Sequence, residues 1–335
     1  MLAIIKMINL HFWKSIFGPF FAFIFPIIFI AILGTLLGYD QVFAGSLAIP
    51  AMAVGLTAMP QAIFEFKKSV LLKRIGVTKI KPWMFLLAIA LFYVLVMFVA
   101  TFFCVAIGIA IFSGYMNSGR EIANNLSMPI SIANTNSNIM YNLYAPSLKT
   151  VLDTVNWGGF IWGTIMNIIV SVSIGLFLVS VVKTSLGIQA LGIPILIISQ
   201  FLSAQVLPLG MVKSVGAMWG LSYITPFKYS TGLFLESFNG SVGTMEVNGE
   251  LLIKMDGLPI SIANVVTFEK PLDLTACFNS SNIFDINSPV YTYYDGPEAI
   301  KVFGKEDKIV NLVMPFVWTG IFGGLSVKFF KWGGR

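Results

Sequence analysis

The sequence predicts an all-α polytopic membrane protein. Three observations lead there. Of its 335 residues 57% are hydrophobic and only 11% are charged, and the mean hydropathy is +0.86, values outside the range of soluble globular domains. The apolar residues gather into six runs of the length that crosses a bilayer, about 20 residues each. The formal charge of +6 collects beside those runs, as it does where lysines and arginines hold short loops in the cytoplasm. A basic surface with interleaved aromatics is missing, so nucleic-acid binding is excluded. The expected fold is six transmembrane helices with an N-terminal interfacial helix, outer half-helices between spans five and six, and a small β-containing external insertion.

Residues 1–15, MLAIIKMINLHFWKS, mix apolar, aromatic and basic side chains as a helix lying along the headgroups does. His11 is the chain's one histidine; with no acid beside it in sequence it is assigned no role. Residues 16–112 hold spans one to three. The first apolar run, 17–38, is too long for a signal-peptide core and is read as a retained span. Pro26 inside it must kink the helix or find a neighbour that accommodates it. Span two, 42–63, carries Pro50, Pro60 and many small residues, which allow close helix approach in lipid. Span three, 83–112, exceeds the length needed to cross and implies tilt or projection.

Between spans two and three lies the stretch 64–82, FEFKKSVLLKRIGVTKIKP, with six bases against the single acid Glu65. Bases at this density keep it in the cytoplasm. Its apolar residues form no clean helical stripe, so it is not a helix lying in the lipid interface. Two readings remain: a solvated connector that only fixes topology, or a docking element for a partner subunit.

The segment 113–156 is polar and Asn-rich and reads as an external loop. Residues 157–235 hold spans four (157–182) and five (185–206), then LPLGMVKSVGAMWGLSYITPFKYSTGLFL (207–235), which is apolar but broken by prolines and glycines. Short re-entrant helices on the outer side suit that pattern. Residues 236–308 carry 11 acids, Glu236 among them, against five lysines. Turn signals at Asn248-Gly249, Asp256-Gly257 and Asp295-Gly296 predict the β-containing external insertion. Span six, 309–327, and a basic tail complete 309–335, and both termini fall in the cytoplasm of a multi-pass cell-membrane protein.

The chemistry-bearing motifs are missing. No GxxxxGK[ST] loop, HExxH, CxxC pair or GxSxG occurs, so the chain holds no nucleotide in the usual cradle, no cofactor and no metal, and is not read as an enzyme. Cys104 lies within a span and Cys277 in a polar segment, too different in depth to pair. No Asp, Glu, Lys or Arg falls inside the six predicted spans, which disfavours a proton-driven transporter. Transport, if it occurs, then draws its energy from another subunit.

FPIIFIAILG (25–34), AIPAMAVG (48–55), the basic stretch 64–82 and ISQFLSAQVLPLGMVKSVGAMWGLSYITPFKY (198–229), in that order, resemble the type-2 ABC exporter permeases. The resemblance covers most of 1–112 and 157–235 and the last span. It implies a permease dimer, homo- or heteromeric, in the lipid bilayer, worked by two cytoplasmic ABC ATPases that use ATP-Mg. It also implies that Glu65, Lys67, Lys68, Lys73 and Arg74 contact the ATPase. A path without fixed charge suits an amphipathic or hydrophobic cargo, such as a lipid, drug or peptide. The long segments 113–156 and 236–308 depart from the family pattern. The alternative is a non-transporting scaffold or sensor with a ligand- or partner-binding external domain, separated from the first by whether a neighbouring reading frame encodes a Walker-type ATPase.

The topology makes one direct prediction. With both native cysteines replaced, Thr150→Cys and Ile260→Cys should each react with a membrane-impermeant thiol reagent on intact cells. Labelling only after lysis overturns the orientation.

Overall fold

The structure, a computed structural model, describes residues 2–68, 82–118, 121–132, 135–144, 147–153, 155–207, 212, 215–238, 252–255, 258–261, 290–293, 299–303 and 305–329. Six of its helices are long and apolar enough to cross a membrane: Phe17–Leu37, Val42–Lys68, Leu87–Ile111, Trp157–Val181, Ser185–Leu202 and Glu306–Phe329. These are spans one to six, and the chain fits a multi-pass membrane protein. A further helix, Leu2–Lys14, precedes them, and two short helices, Gly216–Ser222 and Phe227–Ser237, stand between spans five and six.

Prolines determine how spans one and two are wound. Pro26 and Pro60 have no N–H to donate and their rings crowd the carbonyl four residues earlier. In each case the preceding turn widens: Phe20–Ile24 and Val54–Ala58 are π-helical, with the Phe25 N–H reaching the Phe20 carbonyl and the Met59 N–H reaching that of Val54. A wider turn is the usual way a helix takes up such a local conflict without breaking. Around Pro50 the helix does break, at a turn over Leu47 and Ala48. Spans four and five need no such adjustment at their starts, where Asn156 Oδ1 accepts from the Gly159 N–H and Thr184 Oγ1 from the Gly187 N–H, each at 3.0 Å, satisfying donors that a helix N-terminus leaves open.

Span two is the axis of the bundle. Its whole apolar window is buried, against 28% of spans one and five and 17% of span six. Around its Lys68 half pack Ile8, Phe12, Ile89, Tyr93, Met97 and Ile188, and around its other end Ile30, Cys104, Phe112, Phe160, Phe234 and Phe238. Small residues place it there. Gly175 of span four lies against the carbonyl of Gly55, and Gly192 of span five against the carbonyl of Leu56, close approaches that only a residue without a side chain permits. The outward faces are apolar, with Ile24, Ile28 and Ile32 on span one and Leu91, Leu95 and Val99 on span three exposed, the surface that lipid covers.

The stretch 113–156, expected to be an external loop, contains a long antiparallel hairpin. Its strands β1 (Glu121–Ile132) and β2 (Thr135–Tyr144) pair from Ile132 with Thr135 back to Glu121 with Tyr144. Two shorter hairpins follow the Phe227–Ser237 helix: β3 (Leu252–Met255) with β4 (Leu258–Ser261), and β5 (Val290–Tyr293) with β6 (Ala299–Phe303). Asp256-Gly257 and Asp295-Gly296 fall between these strand pairs in sequence; Asn248-Gly249 lies outside the described residues. The expected boundaries of the acidic segment also shift. Glu236 belongs to the helix Phe227–Ser237, and Glu306, Asp307 and Lys308 to the first turn of the helix Lys305–Phe329.

Close packing at Gly175 predicts a large effect from a small change. Gly175→Val should lower stability by about 1–3 kcal/mol through overpacking against span two, read as a drop in melting temperature. Gly324→Ala, where a new Cβ meets nothing within 4 Å, should be neutral or stabilising by up to about 1 kcal/mol.

Candidate functional site

The Lys68 end of span two holds three of the five residues expected to dock a partner. Lys67 and Lys68 occupy the last turn of the helix Met59–Lys68, where positive charge complements the carbonyl-rich helix end. Lys68 is exposed and its ammonium lies 4.6 Å from the centre of the Phe64 ring. Glu65, one turn earlier, is half-buried. Lys73 and Arg74 lie outside the described residues.

Glu65 is the centre of a polar network that joins three helices. His11 Nε2, on the helix Leu2–Lys14, donates to Glu65 Oε2 at 2.8 Å, and the His11 ring packs 4.7 Å from that of Phe66. Gln61 Nε2 donates to the other carboxylate oxygen, Oε1, at 2.6 Å. Gln61 also shares two hydrogen bonds with Ser185 Oγ, at 2.7 and 3.0 Å, and Ser185 is the first residue of span five. The assignment of no role to His11 is corrected here: its acidic partner is 54 positions away in sequence and adjacent in space.

A second cluster of ionisable groups lies at the far end of the bundle, and the sequence reading missed it. Glu236, placed there in the external acidic segment, is fully buried and accepts a hydrogen bond from Asn311 Nδ2 of span six at 2.9 Å. Lys308, also fully buried, stands close enough to act on its charge. Burial pushes the Glu236 carboxyl up to about 7, against the opposing pull of the Asn311 bond and Lys308 and with a small addition from Asp307. Nearby, Tyr223 Oη donates to Asp307 Oδ1 at 3.1 Å, and burial together with that carboxylate raises the tyrosine to about 12. The Lys228 ammonium sits over the rings of Trp219, at 3.9 Å, and Tyr223, at 2.8 Å, a cation–π pairing suited to a cation removed from water. The apolar neighbours Leu235 and Leu233 gave no hint that the helix between them and Ser237 would turn an acid inward.

Among the described residues no group of three or more His, Cys, Asp or Glu could hold a metal ion. Compared with known proteins, the chain matches no family model, no curated protein and no solved structure.

The buried acid gives a pH dependence with a definite sign. The folded chain keeps the Glu236 proton to about pH 7, whereas the unfolded chain releases it near the ordinary value of 4.5. Between those values the folded state binds more protons, so stability falls as pH rises. Glu236→Gln keeps a side chain that can face Asn311 and removes the titration. Its stability relative to the parent chain should therefore improve across that window by on the order of 3 kcal/mol, checked by thermal unfolding of both proteins as a function of pH.

Proposed function

We propose that the chain is the membrane permease subunit of an ATP-driven exporter of the type-2 ABC kind, moving an amphipathic or hydrophobic cargo. It works as a dimer of permeases, with the ATP-Mg chemistry carried out by separate cytoplasmic ATPases. In this reading the Lys68 end of the bundle and both termini face the cytoplasm. The helix Leu2–Lys14 lies at the interface, with Leu10 and Trp13 exposed and Ile8 and Phe12 buried against the bundle. The short helices Gly216–Ser222 and Phe227–Ser237 are the outer half-helices, and the β-containing insertion follows them outside the cell membrane.

One observation supports this reading most. The acid at the start of the basic stretch is hydrogen-bonded, directly or through Gln61, to the N-terminal helix and to span five. A push delivered to 64–82 from below therefore reaches three helices at once, and one of them, span two, is the axis on which the others pack. A connector that served only to fix topology has no need of such a linkage. The lack of a phosphate-binding loop requires that the nucleotide be held by another chain. The outward apolar faces suit a cargo that travels beside lipid.

The reading is tested by the company the chain keeps. Isolated from its native membrane, the tagged protein should bring down an ATPase with a Walker-type nucleotide loop. The triple variant Lys67→Glu, Lys68→Glu, Arg74→Glu should insert normally and lose it. Retention of the ATPase by the variant overturns the docking assignment, and nucleotide hydrolysis by the purified chain alone overturns the division of labour.

A further inference from the structure

Three backbone irregularities meet inside the bundle. Span two breaks at Leu47 and Ala48. Span five ends in a left-handed residue, Ala204, with φ 58°, where the Gln205 N–H returns to the Gln200 carbonyl at 3.2 Å. The helix Phe227–Ser237 starts after the turn at Pro226. Their junction is lined by neutral polar side chains. Asn167 of span four donates to the Ala48 carbonyl at 2.8 Å, and its Oδ1 accepts from Ser230 Oγ at 3.1 Å. Gln205 Nε2 donates to Thr231 Oγ1 at 2.9 Å and lies 3.7 Å from Met52 Sδ.

These bonds do not use all the polar atoms present. Gln200 and Gln205 are both fully buried, and among the described residues Gln200 Nε2, Gln200 Oε1 and Gln205 Oε1 have no hydrogen-bond partner. Asn167 is ten residues beyond Trp157, about 15 Å along span four from its first residue, so the junction lies well inside the apolar slab. Unmatched amide groups at that depth are costly and are kept where something pairs with them. Broken helices that meet between spans are also where membrane transporters place their polar ligands.

We infer that this junction is a binding site for an uncharged hydrogen-bonding group, a hydroxyl or an amide, carried on an apolar molecule. The unmatched atoms are one amide nitrogen and two carbonyl oxygens, so the ligand group must both donate and accept. Among the described residues no charged side chain contributes to the junction. The two charged groups of the adjoining helix, Lys228 and Glu236, are turned to Trp219 and Tyr223 and to Asn311. An ionic headgroup would therefore be buried without a counter-charge. Met52, Leu56, Val170, Leu196 and Phe227 pack together beside it, so its surroundings are apolar. The inference deepens the transport reading by giving the cargo a chemistry, and it is tested on this chain without an ATPase, so that either can fail while the other stands.

Thermal unfolding of the full chain in phosphatidylcholine nanodiscs, with a series of ten-carbon probes, decides it. Decanol and decanamide should raise the melting temperature saturably; decane, decanoate and decyltrimethylammonium should not. In Gln200→Leu the probe-free melting temperature should rise and the affinity for decanamide fall about tenfold, the loss expected for one neutral hydrogen-bonding group. An equal shift with decane, a preference for either ion, or no shift with any probe overturns the site. The last result assigns the glutamines to water alone. The probe series on the parent chain separates these outcomes even if the variant does not fold.

Discussion

A helix that carries Pro50 and Pro60 through lipid lacks the donors that would ordinarily meet the carbonyls of Ser46 and Leu56, and a bilayer core supplies no water in their place. Everything else in the bundle is arranged around that constraint. Widening Val54–Ala58 into a π turn relieves the ring of Pro60. Gly192 covers the Leu56 carbonyl, and the Asn167 amide reaches across from span four to bond the Ala48 carbonyl at the break. Neighbours surround these groups because span two is the buried axis, while spans one and six keep apolar faces turned outward. Span one has the milder form of the same problem at Pro26 and solves it within its own turn, so it can remain peripheral.

The ionisable groups are divided by the same geometry. Glu65 is half-buried at the edge of the bundle, where His11 and Gln61 share its two oxygens. Glu236 and Lys308 are buried outright at the other end, with Asn311 supplying a neutral hydrogen bond. Both arrangements tie separate elements together through a carboxylate, but they respond differently. The first joins helices through exchangeable contacts near a surface, where water can substitute for a broken bond. The second holds an acid whose charge is opposed by burial, so its strength depends on protonation and on how tightly span six packs.

What could be read from the sequence was what depends on local composition. Six spans emerged because about twenty apolar residues in a row suffice to identify a crossing, and the helix Pro82–Ile111 confirms the unusual length of the third. Prolines marked spans one and two as irregular but not the form the irregularity takes. The β1–β2 hairpin was legible and overlooked: Leu126, Met128, Ile130 and Ile132 alternate with Ser127, Pro129 and Ser131, the period-two signal of a strand. Glu236 was misplaced because the acids and turns that follow it are polar, whereas its hydrogen-bond partner Asn311 lies 75 positions on. The pairing of His11 with Glu65 has no sequence signature, since neither residue's neighbours constrain the other.

The basic stretch and the neutral junction thus depend on one helix for different reasons. At its Lys68 end span two is regular and ends in charge, a rod able to transmit displacement. At its other end it is interrupted, and its neighbours there offer amides and hydroxyls in place of ions. On the proposed reading, moving the rod along its axis would strain the interrupted turns before the regular ones, because the Ala48 carbonyl there is met by a side-chain bond from Asn167 and by a long contact from the Met52 N–H at 3.5 Å. Asn167 also accepts from Ser230, so the same displacement alters the polar atoms offered at the junction. On the proposed reading, this helix is what links an event at the charged end to the hydrogen bonding of the interior.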